Sequence, residues 1–555
     1  MRVNIRYWKL LLFYLLLSNV NFEYSVSAQS DIPELPNFDN KIYFGYDYGA
    51  TGIIDALTKI INIYPNLSPT IGILINDSLN KVWESRVSVN STKYSVWFKN
   101  TSSSGTAIYP GKKYGVVGIL ETFLNYHQIE NNQNWLSKVE EAYWYLNSIA
   151  IQYQTLPHWP YTINPEPQTN GISITDIKFG SAGVLQLSSK LFNITNNQMY
   201  ITQGNKIVSW LESISHSVSI DGLTTKLIPW YQQGNNDSGE EFFTGYGTGI
   251  SGIASSLYEF GKLTNNISIT NWAVDMIRLL IKIQEEDGSW FENYDLNDTN
   301  SDGIITKNEI YPSYQTKLTG YDNGISGILK SIAQINRDLD INSFNTSILN
   351  GIQYLFSQRV ANSTHRGFFV ANDNKKMLNS FDSGTLGIID TLFELKTYLN
   401  QEQYNKIINS YVWLLTEQSL IFSPSTTDYF LMQQTPNNLD YFDLSIAEGL
   451  AGVLLSLSKQ NIRVQLSEFV PIDEIIISTL NSLMLFRNSN LLWQRQIVIQ
   501  NLNDFYRYSG SYLPEELTDN IIGNPISPLI WSVLIILLII PLYVLKKKVR
   551  KYDTK

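Results

Sequence analysis

A Gly-x-x-Gly pair followed by an apolar helical pattern recurs seven times in this chain, at Gly49/Gly52, Gly115/Gly118, Gly180/Gly183, Gly249/Gly252, Gly324/Gly327, Gly384/Gly387 and Gly449/Gly452. Successive first glycines lie 66, 65, 69, 75, 60 and 65 residues apart. A single pair carries no information, but seven in register impose structural repetition. Each unit reads as two helices. The first begins at the glycines and is apolar around its circumference, as a buried inner helix is. The second is amphipathic, as in the run from Trp135 to Leu146, with a polar face for solvent. A short aromatic segment then leads to the next pair: Trp97-Phe98, His158-Trp159, Trp230-Tyr231, Trp290-Phe291, Phe368-Phe369 and Tyr429-Phe430.

The pattern predicts an all-α fold, a seven-fold α/α toroid of inner and outer helix rings over residues 40–465. Glycines at the inner helix starts allow close backbone approach and unusual φ/ψ. Parallel inner helices ring one mouth with their N-termini, the natural place for a ligand.

The ends predict export and anchoring. Arg2, Arg6 and Lys9 precede the apolar run 10–17, and Val26-Ser27-Ala28 offers small residues for cleavage, so residues 1–28 read as a signal peptide, with an uncleaved anchor as the alternative. Residues 529–545 form an uncharged apolar run of about one bilayer thickness, expected as a transmembrane helix. The basic stretch from Lys546 to Lys551 places the tail 546–555 in the cytoplasm. A single-pass type I protein of the cell membrane with its bulk outside is the expectation. Residues 466–525 read as the end of the last helix pair and a membrane-proximal segment. The chain has no cysteine, so its stability rests on its core and not on disulfides. A net charge of −10 excludes the basic face that nucleic-acid binding requires.

Gly-x-x-Gly at the head of seven inner helices resembles the lanthionine synthetase C-like (LanC-like) family over residues 40–465. The resemblance implies a seven-fold α/α toroid and zinc-dependent addition of thiols to dehydrated Ser or Thr residues of peptides. Its zinc-ligand positions are altered. Asp322 stands where the family has Cys, Asp382 and Ser383 where it has Cys-His, and Thr248 where it has a further His. An Asp four residues before a glycine pair is kept as Asp176. Four histidines, His127, His158, His216 and His365, lie elsewhere. With the soft ligands gone, no zinc is expected, and thiol addition does not carry over.

Asp47, Asp322 and Asp382 share the place two residues before a first glycine, with Asp176 and Glu448 nearby. Gathered at a mouth, such carboxylates are candidate acid–base catalysts for a glycosidic bond. An Asp before a helix start is equally a preferred N-cap. Trp159, Trp230 and Trp290 are candidate rim aromatics, or core packing, and Ser383, Thr248 and Glu448 complete the rim. The ligand is expected to be a peptide or a glycan. Three readings follow: a zinc-free LanC-like protein that binds or modifies peptides, a carbohydrate-active hydrolase or lyase, and a non-enzymatic surface receptor.

Between Trp290 and Gly324 lies the longest such connection, and it contains a twelve-residue pattern, 298–309. Asp298, Asn300 and Asp302 fall at positions one, three and five, and Gly303 at six. Ile304 offers a carbonyl at seven, Thr306 is ninth and Glu309 twelfth. These are the positions of an EF-hand calcium loop. The expectation is a structural Ca²⁺ that orders the rim beside Asp322, with the sequon at Asn297 placing a glycan against it.

Overall fold

The computed structural model describes residues 42–498, apart from short internal stretches (90–91, 102–106, 154, 164–170, 234–236, 363–364, 374, 423–428, 433–440, 488–490 and 494–495). The expected signal peptide at 1–28, the apolar run 529–545 expected to span a membrane and the tail 546–555 lie outside the described residues. Among the described residues no helix is long and apolar enough to cross a membrane.

Seven helices start at the seven glycine pairs: α1 (Ala50–Ile63), α3 (Val116–Glu130), α5 (Ser181–Thr195), α7 (Ile250–Leu263), α9 (Ile325–Leu339), α11 (Thr385–Glu394) and α13 (Leu450–Leu457). Each is followed by a partner: α2 (Ser68–Glu84), α4 (Gln133–Ser148), α6 (Gln198–Ser213), α8 (Ile267–Lys282), α10 (Asn342–Ser357) and α12 (Gln401–Thr416). In the seventh pair the short α14 (Gln460–Leu466) intervenes before α15 (Ile472–Leu485). Every odd-numbered helix from α1 to α13 packs on the next, and α13 packs back on α1, so the pairs close into a ring.

The two helix types differ as their sequences require. In α3, every residue from Val116 to Leu124 is buried, because this helix has neighbours on all sides. In α4 only Trp135, Val139, Ala142, Tyr143 and Leu146 are buried, a single face at spacings of three and four. Asn side chains cap several outer helices: Asn132 accepts from Asn134 N, Asn266 from Ser268 N and Ile269 N, and Asn400 from Gln403 N.

The inner helices are capped by the first glycine of each pair, with no side-chain cap. Those glycines have ordinary extended backbone, φ −124° at Gly49, so the expected unusual φ/ψ is not why they are there. The reason is close approach: a Cβ at Gly49 would run into the carbonyl of Gly45 in its own incoming turn, and one at the second glycine, Gly52, into that of Tyr46. The capping role expected of Asp47, Asp322 and Asp382 is likewise not observed.

The expectation of an all-α chain needs correction. The chain is mostly helical, but some connections form short strands in small two- and three-stranded sheets, such as Ile172–Ile174 paired antiparallel with Tyr231–Gln233. These link neighbouring connections around the ring. Trp159 and Trp290 are 0 % and 1 % exposed, so they are core residues and not a rim. Their indole N–H groups donate to Leu146 O at 2.9 Å and Leu280 O at 2.7 Å. Trp97 and Trp493 do the same to Val82 O and Leu483 O. In each case the acceptor is the third-last residue of an outer helix, in the last turn where carbonyls lack an intrahelical partner. The recurrent tryptophan is thus a device for closing outer helices.

Candidate functional site

The turns that lead into the inner helices meet at the ring axis. The residue two before each first glycine donates its backbone N–H to the carbonyl of its counterpart in the next repeat. Asp47 bonds Lys113 at 3.1 Å, Lys113 bonds Lys178 at 2.8 Å, Lys178 bonds Gly247 at 3.1 Å and Gly247 bonds Asp322 at 2.7 Å. Asp322 then bonds Asp382, Asp382 bonds Ala447, and Ala447 bonds Asp47, each at 2.9 Å. Seven main-chain hydrogen bonds therefore form a closed circle, one from each repeat.

Side chains from this circle fill its centre. The Lys178 ammonium pairs with Asp47 Oδ2 at 2.8 Å, Asp382 Oδ2 at 2.8 Å and, at closer range, Asp322 Oδ2. Lys178 belongs to the third repeat and its partners to the first, fifth and sixth, so its Nζ lies at the axis. All four residues are buried, between 6 % and 7 % exposed. A lone buried ammonium or carboxylate is prohibitively costly. Here each offsets the other, with two carboxylates in excess.

The excess shows in their proton affinities. Burial alone would pull the Lys178 ammonium down, but Asp322, Asp382 and Asp47 outweigh it and hold the pKa well above the ordinary lysine value. Burial, reinforced by Asp47 and Asp322, pushes the Asp382 carboxyl up to about 7 against the attraction of Lys178. Burial acts on Asp47 too, yet Lys178 and Lys113 hold it below the usual aspartate value.

The other sequence-predicted residues fall in three places. Asp176 is fully buried; its carboxylate accepts from Phe179 N at 2.7 Å and from Trp230 Nε1 at 2.9 Å. Burial, opposed by those bonds, moves it up to about 7. Trp230 itself is half-buried against Phe243. Thr248, Ser383 and Glu448 do reach the surface of the mouth, together with Tyr48, Tyr114, Phe179 and Asn323, which occupy the equivalent position one before each glycine. One side of the mouth is aromatic: Tyr48 stacks on Tyr114 at 5.5 Å and Tyr114 lies 6.0 Å from Phe179. Lys113 Nζ hovers over all three rings. The opposite side is polar, with Thr248 Oγ1 donating to Asn323 Oδ1 at 3.0 Å.

Sequence reasoning missed Lys178. Its signal lies in the same column as the aspartates, which reads Asp47, Lys113, Lys178, Gly247, Asp322, Asp382, Ala447.

Comparison with known proteins comes to bear here. Residues 161–303, which hold Asp176, Lys178 and Gly247, match the family described as lanthionine synthetase C-like protein. This stretch is similar to lanthionine synthetase C-like proteins. No curated protein matches the chain. Among solved structures, nisin cyclase aligns over 79 % of this chain and 94 % of its own at 14 % identity, TM-score 0.48. D-mannose isomerase aligns over 70 % and 96 % at 10 % identity, TM-score 0.45. Cellobiose 2-epimerase from Bacillus thermoamylovorans B4167 aligns over 60 % and 85 % at 11 % identity, TM-score 0.42.

The LanC-like resemblance implies zinc, and the residues at its positions do not fit that ion. Asp322 and Asp382 offer hard oxygen donors, already paired with an internal cation. His158 is buried elsewhere, stacked on Trp210 and bonded to Ser173 Oγ. His127 and His216 bond main-chain carbonyls at Asn132 and Gly239. Among the described residues no group of three or more carboxylates or imidazoles stands ready to hold a metal. At the ring centre an ammonium has that place. In the 298–309 loop, Glu309 is turned onto Thr299 and Thr306.

Proposed function

We propose that this protein is a membrane-anchored, extracytoplasmic α/α toroid of the LanC-like type that binds peptides at its mouth without zinc-dependent thiol addition. The observation that supports it is the Lys178 cluster. The carboxylates at the family's zinc-ligand positions, Asp322 and Asp382, pair with a lysine of the same chain, so an ammonium stands where a metal would activate a thiol or water. A glycosidase needs an acid and a base that reach the substrate. Asp47, Asp322 and Asp382 are clamped and buried, and Asp176 is sealed beneath Phe179 and Trp230. What the mouth does offer is a partly exposed aromatic half beside a hydrogen-bonding half with one carboxylate, Glu448. Such a surface suits an extended peptide with an apolar side chain next to a polar or cationic one.

The test uses the full-length chain purified in detergent, probed against arrays of short peptides and of oligosaccharides. Peptide binding that falls at least tenfold in Tyr114→Ala and Glu448→Gln supports the reading. Binding confined to oligosaccharides, with release of reducing ends, would overturn it in favour of a carbohydrate-active protein. Membrane anchoring through 529–545 is tested separately by fractionation of the intact chain against one ending before residue 526.

A further inference from the structure

The loop 298–309 lies apart from the circle of turns that carries Lys178. It forms the tip of a hairpin whose arms, Asn293–Leu296 and Ile310–Pro312, pair antiparallel. Its strand Ile304–Thr306 adds in parallel to His216–Ile220, the first arm of the hairpin that follows α6. The insertion therefore registers on a neighbouring repeat, not on the turn that carries Asp322 as its sequence context suggested.

Within the loop, the side chains at positions one, three and five fold back onto the loop's own main chain. Asp298 Oδ2 accepts from Gly303 N at 2.9 Å, Asn300 Oδ1 from Asp302 N at 2.8 Å and Asp302 Oδ1 from Ile304 N at 2.8 Å. Gly303 has φ +78°, the left-handed turn for which glycine is suited at position six. Loop geometry alone would not identify a ligand. A separate feature does: Asp298 Oδ1, the remaining oxygen of the position-one carboxylate, is shut off from solvent and has no hydrogen-bond partner. Its sister oxygen bonds across the loop to Gly303, which fixes that carboxylate within the loop. A shielded carboxylate oxygen without a donor calls for a cation.

Glu309 is a buried carboxylate, 4 % exposed, where Asp298 as a whole is only half-buried. Its Oε1 accepts from Thr299 N and Oγ1 at 3.0 and 2.6 Å, and its Oε2 from Thr306 N and Oγ1 at 2.9 and 2.8 Å. The position-twelve carboxylate is thus docked at the edge of the loop, beside Asp298 in space and held ionised by its donors. A cation entering the loop takes the orphan Asp298 oxygen, Asn300, Asp302 and the Ile304 carbonyl, and draws Glu309 off the Thr299 hydroxyl.

We infer that residues 298–309 bind one Ca²⁺ ion through Asp298, Asn300, Asp302, the Ile304 carbonyl and Glu309, and that the ion fastens this hairpin to the strand 216–220 of the adjacent repeat. Calcium is favoured over Mg²⁺ because the donor set is large, all oxygen and partly flexible, whereas Mg²⁺ demands a rigid octahedron and retains its waters.

The full-length chain, stripped of divalent ions with a chelator and then dialysed free of it, is titrated with CaCl₂ by calorimetry. The expected result is one Ca²⁺ per chain at a dissociation constant on the order of 10⁻⁴ M, in the range of extracellular sites. Glu309→Gln should weaken binding at least tenfold. Because Glu309 also holds Thr299 and Thr306, the exposed Asp302→Asn serves as the second variant; it should weaken binding to a similar degree while the circular dichroism stays that of the parent. Calcium should also slow amide exchange in 216–220 and 304–306. No binding up to about 10 mM Ca²⁺, or binding that both variants leave unchanged, would overturn the site.

Discussion

Lys178 Nζ lies 2.8 Å from Asp382 Oδ2, although 204 residues separate the two in the chain. The contact exists only because the ring closes. It therefore ties the chemistry of the centre to the integrity of the whole fold, and makes the centre a sensitive point for substitution.

Lys178→Met keeps the stem and removes the charge. Three buried carboxylates then face one another with no cation between them. Deleting one partner of a buried ion pair typically costs about 3–5 kcal/mol, and the expected loss of unfolding free energy is of that size. Denaturant unfolding of the purified chain measures it. Adding Asp322→Asn and Asp382→Asn to Lys178→Met should recover much of the loss, since the like-charge repulsion goes with the carboxylates. If the triple variant is no more stable than Lys178→Met, the cluster is not the electrostatic unit described above.

The Asp382 carboxyl titrates at about 7 in the folded chain and near 4 when unfolded. Between those values the folded chain holds a proton that the unfolded chain has released. Stability should therefore fall as pH rises from about 4 to about 7, by at most about 1.4 kcal/mol per pH unit for this group. Asp176, also raised to about 7, adds a slope of the same sign. Asp47 works the other way: its depressed pKa gives stability that is present above about 4 and lost as pH falls below it. His158, which burial lowers to about 4, gives the opposite slope between about 4 and 6.5. Asp382→Asn stays neutral at every pH and should make the slope between pH 4 and 7 less negative than the parent's, by at most about 1.4 kcal/mol per pH unit. Thermal unfolding of both proteins across that window decides it, and an unchanged slope would place the titration elsewhere.

The glycine repeats made the inner helices legible from sequence, because each second glycine answers a steric demand that no other residue meets. The convergence of Asp47, Asp322 and Asp382 was legible too, once the repeats were in register. Which cation they surround was not. Lys113 and Lys178 occupy the same column, and only the folded ring distinguishes them. The next residue around the circle is Lys178 for Lys113, but Gly247 for Lys178, so only Lys178 has an empty place to turn into. Lys113 instead stays half-exposed over Tyr48, Tyr114 and Phe179. Whether Trp159 and Trp290 belong to the rim or to the core was not legible for a related reason. Their pattern marks a recurring aromatic, while their burial depends on the outer helix that each one closes. The pattern at 298–309 is of another kind: its spacing is local and owes nothing to the ring.

Gly247 gives the sharpest test of that account. A Cβ there would collide with the Asp322 carboxylate and stand 2.9 Å from Lys178 Cδ. Ala447 occupies the same column and carries a methyl group without strain to the circle, so the main chain itself accepts alanine at this position. Any cost of Gly247→Ala must then come from the crowded cluster. Overpacking of a filled interior costs about 1–3 kcal/mol, and that is the expected destabilisation by denaturant unfolding. Asp322→Ala removes the group that the new methyl strikes. In the double variant the two changes should therefore cost less than their sum, with a coupling of about 1 kcal/mol or more, as for residues in contact. Strict additivity would mean that Gly247 and Asp322 do not share the centre of the ring, and the selection of Lys178 over Lys113 would lose its physical basis.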